Sequence, residues 1–519
     1  MTRSRPHGVS GSVILLLLTL VLSGCTSLGS GDAQSRPTPR PITPAPSARL
    51  PSPAAGLSGY SRQKLRWTGC RGSDQCARLR VPLDYAKPTG RAIEIALLKV
   101  PARDRAHRLG SMVVDPGGPG VSGRDYAAGA QEAFGASLRD VYDIVGLDPR
   151  GVAGSTAITC GSSSDLNALV ESDPDPDTAA ERSHSDQLMR DLGRSCLEHS
   201  GALTRHVSTE EVARDLDILR AVLGDTYLTY FGASYGTAIG AAYADLFPRR
   251  VGRMVLDGAV DPASSTLDVN LVQAHGFEVA LRAYVAACVA RGHCFLGNSV
   301  DQGVRRIAAF LAAVEKSPIR GTARRRVTAG DASYGVWQAL YDKRLWPILD
   351  QGLQLAFRGD GRLLLSLADL YLHRNADGAF TDNTFEAFFA ISCLDHDDGL
   401  APSQVSKYLP RFEKASPTFG ASFAYSTTGC ALWPVHSGRQ PAPVHATGSP
   451  PILVVGTTRD PATPLVWARA LAKELPRGVL VTRDGDGHTG YRRGSSCVDS
   501  TVEAYLVSGT VPRHDVSCR

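Results

Sequence analysis

Several features that would reveal a function are scarce in this 519-residue sequence, and each scarcity argues against a class of protein. The formal net charge is only +5, which is too dilute over this length to indicate a nucleic-acid partner. No C-x-x-C pair and no H-E-x-x-H spacing occurs, so we expect no metal, and nothing implies an organic cofactor. Beyond the N-terminal segment there is no run of about 18 apolar residues, which argues against a second membrane span. A hydrophobic content of 43% nevertheless predicts a folded chain.

Cysteine is present in an odd number, 11, and the N-terminal segment accounts for the odd one. Arg3 and Arg5 precede about ten apolar residues, which end at Leu22-Ser23-Gly24-Cys25. This arrangement resembles a bacterial lipobox, where the signal peptide (residues 1–24) is removed and the thiol of Cys25 is lipidated. An ordinary secretory signal and an N-terminal membrane anchor are the alternatives, and all three export the rest of the chain.

Residues 25–57 form a segment that cannot build a core. Seven prolines lie between Pro37 and Pro53, among many Ser, Thr and Ala residues, and this composition favours an extended spacer. We expect a tether that begins at lipidated Cys25 and holds a folded domain at the extracellular face of the cell membrane. The protein would contact the membrane through this lipid alone, and it can also be released to the medium.

The other ten cysteines lie in the part of the chain that would be exported, where disulfides persist. Sequence alone leaves their connectivity open. Pairing between sequential neighbours closes short loops without crossing, so we expect most of these pairs to form. The candidate pairs are Cys70 with Cys76, Cys160 with Cys196, Cys288 with Cys294, Cys393 with Cys430, and Cys497 with Cys518.

Short apolar runs rich in Val, Ile and Leu alternate with helical patterns after the tether. Several of these runs end in Gly, Asp or Pro, and they are interpreted as buried parallel strands. One helical pattern, Val207–Leu223, has Ser208 or Thr209 to cap it and an apolar face. Strands that alternate with helices predict an α/β fold with a mostly parallel central sheet. The predicted strands are Ile93–Val100, Ser111–Asp115, Asp143–Leu147, Leu228–Gly232, Arg253–Asp257, Ile452–Gly456 and Val479–Thr482.

The alternation of strands and helices breaks in the second half of the chain. The clearest helical patterns there are Val272–Ala290, Asp301–Ala313 and Pro347–Phe357. Strands resume at Ile452, so a helical insertion within the sheet protein is the simplest interpretation. We therefore expect a first core part (58–262), a helical lid (263–435) and a C-terminal core part (436–519).

The central chemical signal is a G-x-S-x-G motif at Gly232-x-Ser234-x-Gly236. It follows a predicted strand and opens a helix of small residues, Thr237–Leu246. In a nucleophile elbow the serine lies on a strained strand-to-helix turn, and the flanking glycines allow tight packing. Ser234 is therefore the predicted nucleophile, and the alternative is a Gly-Ser turn that only supports the sheet.

A serine nucleophile needs a base, and the base needs an acid that orients it. In α/β hydrolases the chain order is Ser, then Asp or Glu, then His. Asp460 follows the strand Ile452–Gly456, and His488 lies in a Gly-rich loop that we expect to be flexible. Both come in the required order, so we predict a triad with Ser234. Asp257, at the end of an earlier strand, is the competing acid.

An oxyanion intermediate needs two backbone N–H donors. One is expected from Tyr235, the residue after the nucleophile. The other should come from the loop Asp115-Pro116-Gly117-Gly118-Pro119-Gly120, whose glycines allow close approach to a substrate oxygen. Gly118 is the best single candidate and Gly117 the next. A phosphate-binding loop is the alternative, but no Lys-Ser/Thr pair follows.

These motifs together resemble the prolyl-iminopeptidase-like α/β hydrolases, and more closely the secreted actinobacterial tripeptidyl aminopeptidase family. The resemblance covers about residues 60–519. It implies the α/β-hydrolase fold with a helical lid inserted between strands 6 and 7, a serine exopeptidase activity, and the triad named above. Asp115 departs from the pattern, because relatives often carry Asn or His there. The motifs are Val81–Tyr85, Gly117–Gly120, Gly146–Gly151, Gly232–Gly236, Ile391–Asp395, Cys430–Pro434 and the segment from Asp460 to His488.

Three functions stay open at this point. The first is a monomeric serine aminopeptidase that acts on the N-termini of peptides or proteins and releases short peptides. The second is a carboxylesterase or lipase with the same triad, because the triad does not separate amide from ester chemistry. The third is a non-catalytic substrate-binding lipoprotein. An aminopeptidase also needs a carboxylate for the substrate ammonium, and the candidates are Glu278, Asp395, Asp397 and Asp398.

Overall fold

The computed structural model of the protein describes residues 37–42 and 56–519. The predicted signal peptide, Cys25 and most of the predicted tether lie outside the described residues. The strands are β1 (Thr68–Arg71), β2 (Asp74–Pro82), β3 (Ala92–Val100), β4 (Gly110–Asp115), β5 (Tyr142–Leu147), β6 (Leu228–Ala233), β7 (Val251–Asp257), β8 (Ile319–Arg320), β9 (Arg326–Val327), β10 (Ile452–Arg459), β11 (Gly478–Asp486) and β12 (Val516–Cys518).

Helices separate most of these strands along the chain. They are α1 (Ser58–Ser61), α2 (Gly123–Ala128), α3 (Ala130–Ala133), α4 (Ala136–Val141), α5 (Ser163–Glu171), α6 (Ala179–Ser200), α7 (Thr209–Leu223), α8 (Gly236–Leu246), α9 (Thr266–Ala290), α10 (Val300–Lys316), α11 (Ala329–Tyr341), α12 (Trp346–Ala356), α13 (Arg362–Leu372), α14 (Thr384–Asp395), α15 (Val405–Ala415), α16 (Gly420–Ser426), α17 (Leu465–Glu474) and α18 (Ser496–Ser508). Within the described residues, no helix combines the length and the apolarity that a bilayer crossing requires.

A ten-stranded sheet with the order β1-β2-β3-β5-β4-β6-β7-β10-β11-β12 forms the centre of the fold. The seven consecutive strands β5-β4-β6-β7-β10-β11-β12 of this order pair in parallel, so the prediction of a mostly parallel sheet is confirmed. Strands β8 and β9 form a separate antiparallel pair. The prediction of Ile93–Val100 as a parallel strand is wrong, because β3 pairs antiparallel with both β2 and β5. The short connection between β2 and β3 explains the first of these pairings, since a parallel pair would need a longer crossover.

Both faces of the sheet are covered by helices, which explains why the predicted strands are apolar throughout. Alternate side chains of a strand point to opposite faces. In β4, Val113 belongs to the hydrophobic cluster under α7 and α8, whereas Met112 and Val114 belong to the cluster under α2–α4 and α18. Helix α7 begins after Ser208, whose hydroxyl accepts a hydrogen bond from the N–H of Glu211, as one of the two predicted caps requires.

The chain between β7 and β10 is mainly helical, and its three predicted helices correspond to α9, α10 and α12. Counted along the main sheet from β2, the flanking strands are the sixth and the seventh. We call residues 263–435 the helical segment. Most of its helices share a hydrophobic cluster of their own, while α14 packs on the cluster of the sheet. That the helical segment acts as a lid stays a prediction.

Five disulfides join the ten cysteines of the described region, and each joins the sequential neighbours that the sequence analysis paired. The bonds are Cys70 with Cys76, Cys160 with Cys196, Cys288 with Cys294, Cys393 with Cys430, and Cys497 with Cys518. The fourth connects the end of α14 to the chain that returns from the helical segment, and the fifth connects α18 to the last strand. Because disulfides persist in oxidising compartments, this content indicates an exported protein.

Candidate active site

Ser234 lies on a tight turn between β6 and α8. Its backbone has φ = 55°, a left-handed conformation that non-glycine residues rarely adopt. The N–H of Ser234 donates to the carbonyl of Asp257 (2.8 Å), and the N–H of Thr237 donates to the carbonyl of Ser234 (2.9 Å). A Cβ on Gly232 would lie 2.4 Å from the carbonyl oxygen of Gly236, so the turn requires glycine there. The G-x-S-x-G motif thus forms the strained strand-to-helix turn that the sequence predicts.

Asp460 and His488 come together at the carboxyl end of the sheet. Asp460 follows β10 directly, and His488 comes two residues after the end of β11. Nδ1 of His488 lies 2.9 and 3.0 Å from the two carboxylate oxygens of Asp460. Asp460 is buried, and Nε2 of His488 is buried without a hydrogen-bond partner among the described residues. A carboxylate on Nδ1 leaves Nε2 available to accept a proton, and His488 and Ser234 line the same cavity.

The Asp460 carboxylate is held by a set of donors that the sequence analysis missed. It accepts hydrogen bonds from the N–H groups of Ala462, Thr463 and Thr489 at 2.8–3.0 Å. The hydroxyl of Thr463 lies 3.1 Å from Asp460 and 3.3 Å from Nδ1 of His488. The signal in the sequence was the aspartate in a turn after a strand, since an Asp side chain there commonly accepts from the backbone N–H two residues on, here that of Ala462.

The residues around His488 form a loop whose backbone is held by hydrogen bonds along its length, although its glycines predict a flexible loop. We call residues 487–491 the base loop. Each N–H group from position 488 to 491 donates to an acceptor on another part of the chain. The acceptors, in order, are the carbonyl of Tyr341, the Asp460 carboxylate, and for the last two N–H groups the Asp257 carboxylate. The hydroxyl of Thr457 also donates to the carbonyl of Thr489.

Asp257, the competing acid, supports the base loop and does not contact the imidazole through a hydrogen bond. Its two oxygens accept from the N–H groups of Gly490 (2.7 Å) and Tyr491 (2.9 Å). Burial raises the pKa of Asp257 to about 6, against the opposing effect of these two N–H donors. The geometry therefore favours Asp460 over Asp257 as the partner of the base.

The loop after β4 packs directly against residues 232–237, which we call the nucleophile turn. A Cβ on Gly117 would lie 2.6 Å from the backbone nitrogen of Tyr235, and the φ of Gly117 is 93°. The N–H of Gly117 donates to Asp115 at 2.8 Å, so it is already engaged. Gly118 lines the cavity beside Ser234 and Tyr235, which favours its N–H as the second oxyanion donor. Burial raises the pKa of Asp115 to about 7, while the bond from Gly117 opposes this shift.

A cavity of about 970 Å³ opens above these residues. It lies between the carboxyl end of the sheet and the helical segment, and its walls are rich in aromatic side chains. These include Phe277, Trp337, Tyr341, Phe385, Phe388 and Phe423. Such a volume is at the upper end of the range for small-molecule sites, so it can hold a short peptide or an extended ester.

The four acids predicted as ammonium ligands lie in different environments. Asp395 lines the cavity, where it accepts bonds from the N–H of Thr209 and the hydroxyl of Tyr235. The other three are engaged elsewhere: Glu278 with Ser416 and Thr418, Asp397 with His436, and Asp398 with Thr266. Glu210 also lines the cavity, and it was not a candidate; its carboxylate lies 3.3 Å from the guanidinium of Arg439.

A group of three carboxylates, Asp173, Asp175 and Glu315, has the spacing of a possible metal site. It lies outside the cavity that contains Ser234. Its side chains are partly exposed, and such acidic groups are common without an ion.

Comparison with known proteins finds relatives that align over most of the chain. The family described as TAP-like protein matches residues 416–518, which include Asp460 and His488. Serine protease Hip1 of Mycobacterium tuberculosis is 36% identical over 97% of this chain and 96% of its own. Carboxylesterase B of the same species is 36% identical over 87% of this chain and 89% of its own. Tripeptidyl aminopeptidase of Streptomyces lividans is 32% identical over 90% of this chain and 88% of its own.

Similarity at this level extends over nearly the whole chain, and it agrees with the mostly parallel sheet of an α/β hydrolase. The resemblance predicted from the motifs is confirmed, and so is the prediction of an enzyme. The chain belongs to the tripeptidyl aminopeptidase and Hip1 family, and it is a serine hydrolase of the α/β-hydrolase fold.

Proposed function

We propose that this chain is an exported serine exopeptidase that releases short peptides from the N-termini of peptides or proteins. Ser234 is the nucleophile, His488 the base and Asp460 the acid. The observation that carries the proposal is the pair of hydrogen-bond contacts between His488 and Asp460 in the cavity that also contains the strained Ser234 turn.

The reaction is acyl transfer. Nε2 of His488 takes the proton of Ser234 while Oγ attacks the peptide carbonyl, and the N–H groups of Tyr235 and Gly118 stabilise the oxyanion. His488 then gives the proton to the leaving amine as the C–N bond breaks. Water, deprotonated by His488, hydrolyses the ester on Ser234 and releases the N-terminal fragment.

Two observations favour N-terminal peptides as substrates. Relatives that align over most of the chain are named tripeptidyl aminopeptidase and serine protease. The cavity also carries carboxylates, of which Asp395 and Glu210 lie on different helices, α14 and α7, and a free ammonium group is attracted to such a site. The helical segment above the cavity restricts entry to chain ends and small molecules.

A carboxylesterase is the second candidate function. A relative of 36% identity carries that name, and the aromatic walls of the cavity suit an apolar ester. The triad itself serves both reactions, because ester and amide carbonyls pass through similar tetrahedral intermediates.

A substrate panel separates these candidates. Tripeptide, single-residue and N-acetylated tripeptide anilides are compared with short and long fatty-acid esters on the purified protein. We expect turnover of the free tripeptide anilide and a large loss on N-acetylation. Turnover of esters alone would leave the carboxylesterase as the function. Failure of a fluorophosphonate probe to label Ser234 would leave the non-catalytic binding lipoprotein.

The proposed lipid on Cys25 fixes the protein to the outer face of the cell membrane. Support comes from the lipobox and from the five disulfides, which are typical of an exported chain. Cys25→Ser should move the protein from the membrane fraction to the medium without loss of activity. If wild type and Cys25→Ser were distributed equally between the membrane fraction and the medium, the lipid anchor would be contradicted.

A further inference from the structure

The helical segment contacts the base loop through the C-terminal end of helix α11. Tyr341 is the last residue of this helix, and its carbonyl accepts the hydrogen bond from the N–H of His488 at 2.8 Å. The phenol ring of Tyr341 lies edge-on against the imidazole, with ring centroids 5.2 Å apart and an angle of 78°. One residue of the helical segment thus contacts the predicted base through both its backbone and its side chain.

The approach of the two backbones is close enough to require glycine. Gly487 has φ = 93°, and a Cβ there would lie 2.8 Å from the carbonyl oxygen of Tyr341. Real Cβ atoms do not tolerate such a distance to a backbone oxygen, so the contact would have to open. The glycine in front of His488 therefore permits the contact between the base loop and the helical segment.

Ion pairs flank this contact on both sides. Lys343 lies 3.0 Å from Asp486 before the base loop, and Arg493 lies 3.2 Å from Asp342 after it. Each pair is partly exposed, so its own contribution to stability is small. Together the two pairs align the end of α11 with the base loop.

The other hydrogen bonds described above for the base loop are all made with residues outside the helical segment. Asp460 fixes Nδ1 of His488, Asp257 holds the N–H groups of Gly490 and Tyr491, and Thr457 holds the carbonyl of Thr489. The acceptor for the backbone N–H of His488, and the ring against its imidazole, come from the helical segment. The direction of Nε2 consequently depends on both parts of the molecule.

We propose that Tyr341 is a positioning residue for the base, so that His488 is aimed at Ser234 only while the helical segment is seated on the base loop. This inference rests on the proposed triad. When the helical segment lifts to exchange substrate and product, His488 loses the contacts that direct it, and it regains them on closure. The helical segment then takes part in assembling the reaction site and does not only cover it.

The first test replaces the side chain of Tyr341. Tyr341→Leu should lower kcat by about ten- to a hundredfold, as expected for a small misplacement of a catalytic group, with a change in KM of less than about threefold. Tyr341→Phe keeps the ring and should retain most of the activity. A loss confined to KM would show that Tyr341 only binds substrate and would overturn the proposal.

The second test uses two glycines with the same backbone conformation. Gly487 and Gly494 have φ values of 93° and 90°, but a Cβ on Gly494 would meet nothing within 4 Å. Alanine at either position carries the same backbone strain, and only Gly487→Ala pushes against Tyr341. We expect kcat to fall at least about tenfold in Gly487→Ala and to stay near wild type in Gly494→Ala.

Outcomes of the second test are distinguishable from failure of the proposed function. Equal losses in the two alanine variants, with both folded by circular dichroism, would overturn the role of the Tyr341 contact. No turnover and no Ser234 labelling in the wild type would instead refute the triad itself. Labelling of Gly487→Ala by a fluorophosphonate at a reduced rate would support misdirection of the base in a protein that still folds.

Discussion

The nucleophile turn and the base loop reach the same cavity by different means. The turn is formed by consecutive residues from Gly232 to Thr237 and by its neighbours in the sheet, β4 and β7. The base loop depends on acceptors that lie about 30 to 230 residues away in sequence, among them Asp257, Tyr341 and Asp460. A local motif therefore positions the proposed nucleophile, whereas the proposed base acquires its position only when the whole molecule has folded. Substitutions can perturb either the nucleophile turn or the base loop.

Removal of the proposed nucleophile should have the largest effect. Ser234→Ala deletes the attacking oxygen and leaves the turn intact, so kcat should fall by at least about 10⁴-fold while the unfolding midpoint stays near wild type. Steady-state rates and a fluorophosphonate labelling assay measure this directly. A variant that retains a tenth of the activity would exclude Ser234 as the nucleophile.

Replacement of Asp460 should lower kcat more than replacement of Asp257. Asp460→Asn leaves the shape of the site but disturbs the tautomer of His488, and we expect a loss in kcat of about 10³- to 10⁴-fold. Asp257→Asn keeps one acceptor for the base loop and should cost far less. If the two losses were reversed in order, Asp257 would be the acid of the triad.

Crowding of the turn should have an intermediate effect. Gly117→Ala places a Cβ 2.6 Å from the backbone nitrogen of Tyr235, and the backbone there cannot move without displacing Ser234. We expect a loss in kcat of about 10²-fold. Gly224→Ala is the matched control, because Gly224 has φ = 82° and nothing within 4 Å of a Cβ. Equal activity of the two variants would mean that the turn tolerates movement.

The prediction with the smallest expected effect on the reaction rate concerns the pH dependence of stability through Asp257. Its pKa is raised by burial from 3.8 to about 6, so between these values the folded protein holds a proton that the unfolded chain has lost. The contribution of Asp257 to the free energy of unfolding should fall as the pH rises from about 4 to 6, by up to about 3 kcal/mol, and then level off.

Chemical denaturation of wild type and Asp257→Asn at pH 4.5 and 7 tests this contribution. The stability of the wild type relative to the variant should be lower at pH 7 than at pH 4.5. A constant difference would show that Asp257 titrates alike in both states.

The contrast between the two regions also explains which features the sequence could predict. Ser234, Asp460 and His488 follow strands whose apolar runs are visible, and the chain order suffices to group them. The nearest-neighbour disulfides are similarly local. The antiparallel strand β2 and the hydroxyl of Thr463 were missed although both are close in sequence to their partners, because neither carries a distinctive motif. The contact from Tyr341 was missed because it depends on segments that approach only in the folded molecule. The hydrogen bonds that hold the base loop could not be inferred from the glycines of the loop, since the acceptors lie elsewhere in the chain.

The hydrogen bond from the N–H of His488 to the carbonyl of Tyr341 has one more consequence. This amide proton can exchange with solvent only when the bond opens, and opening requires that α11 and the base loop separate. Its hydrogen-exchange rate therefore reports how often the two parts come apart. One backbone proton, read by mass spectrometry or NMR, gives the free energy of that separation with and without a bound inhibitor.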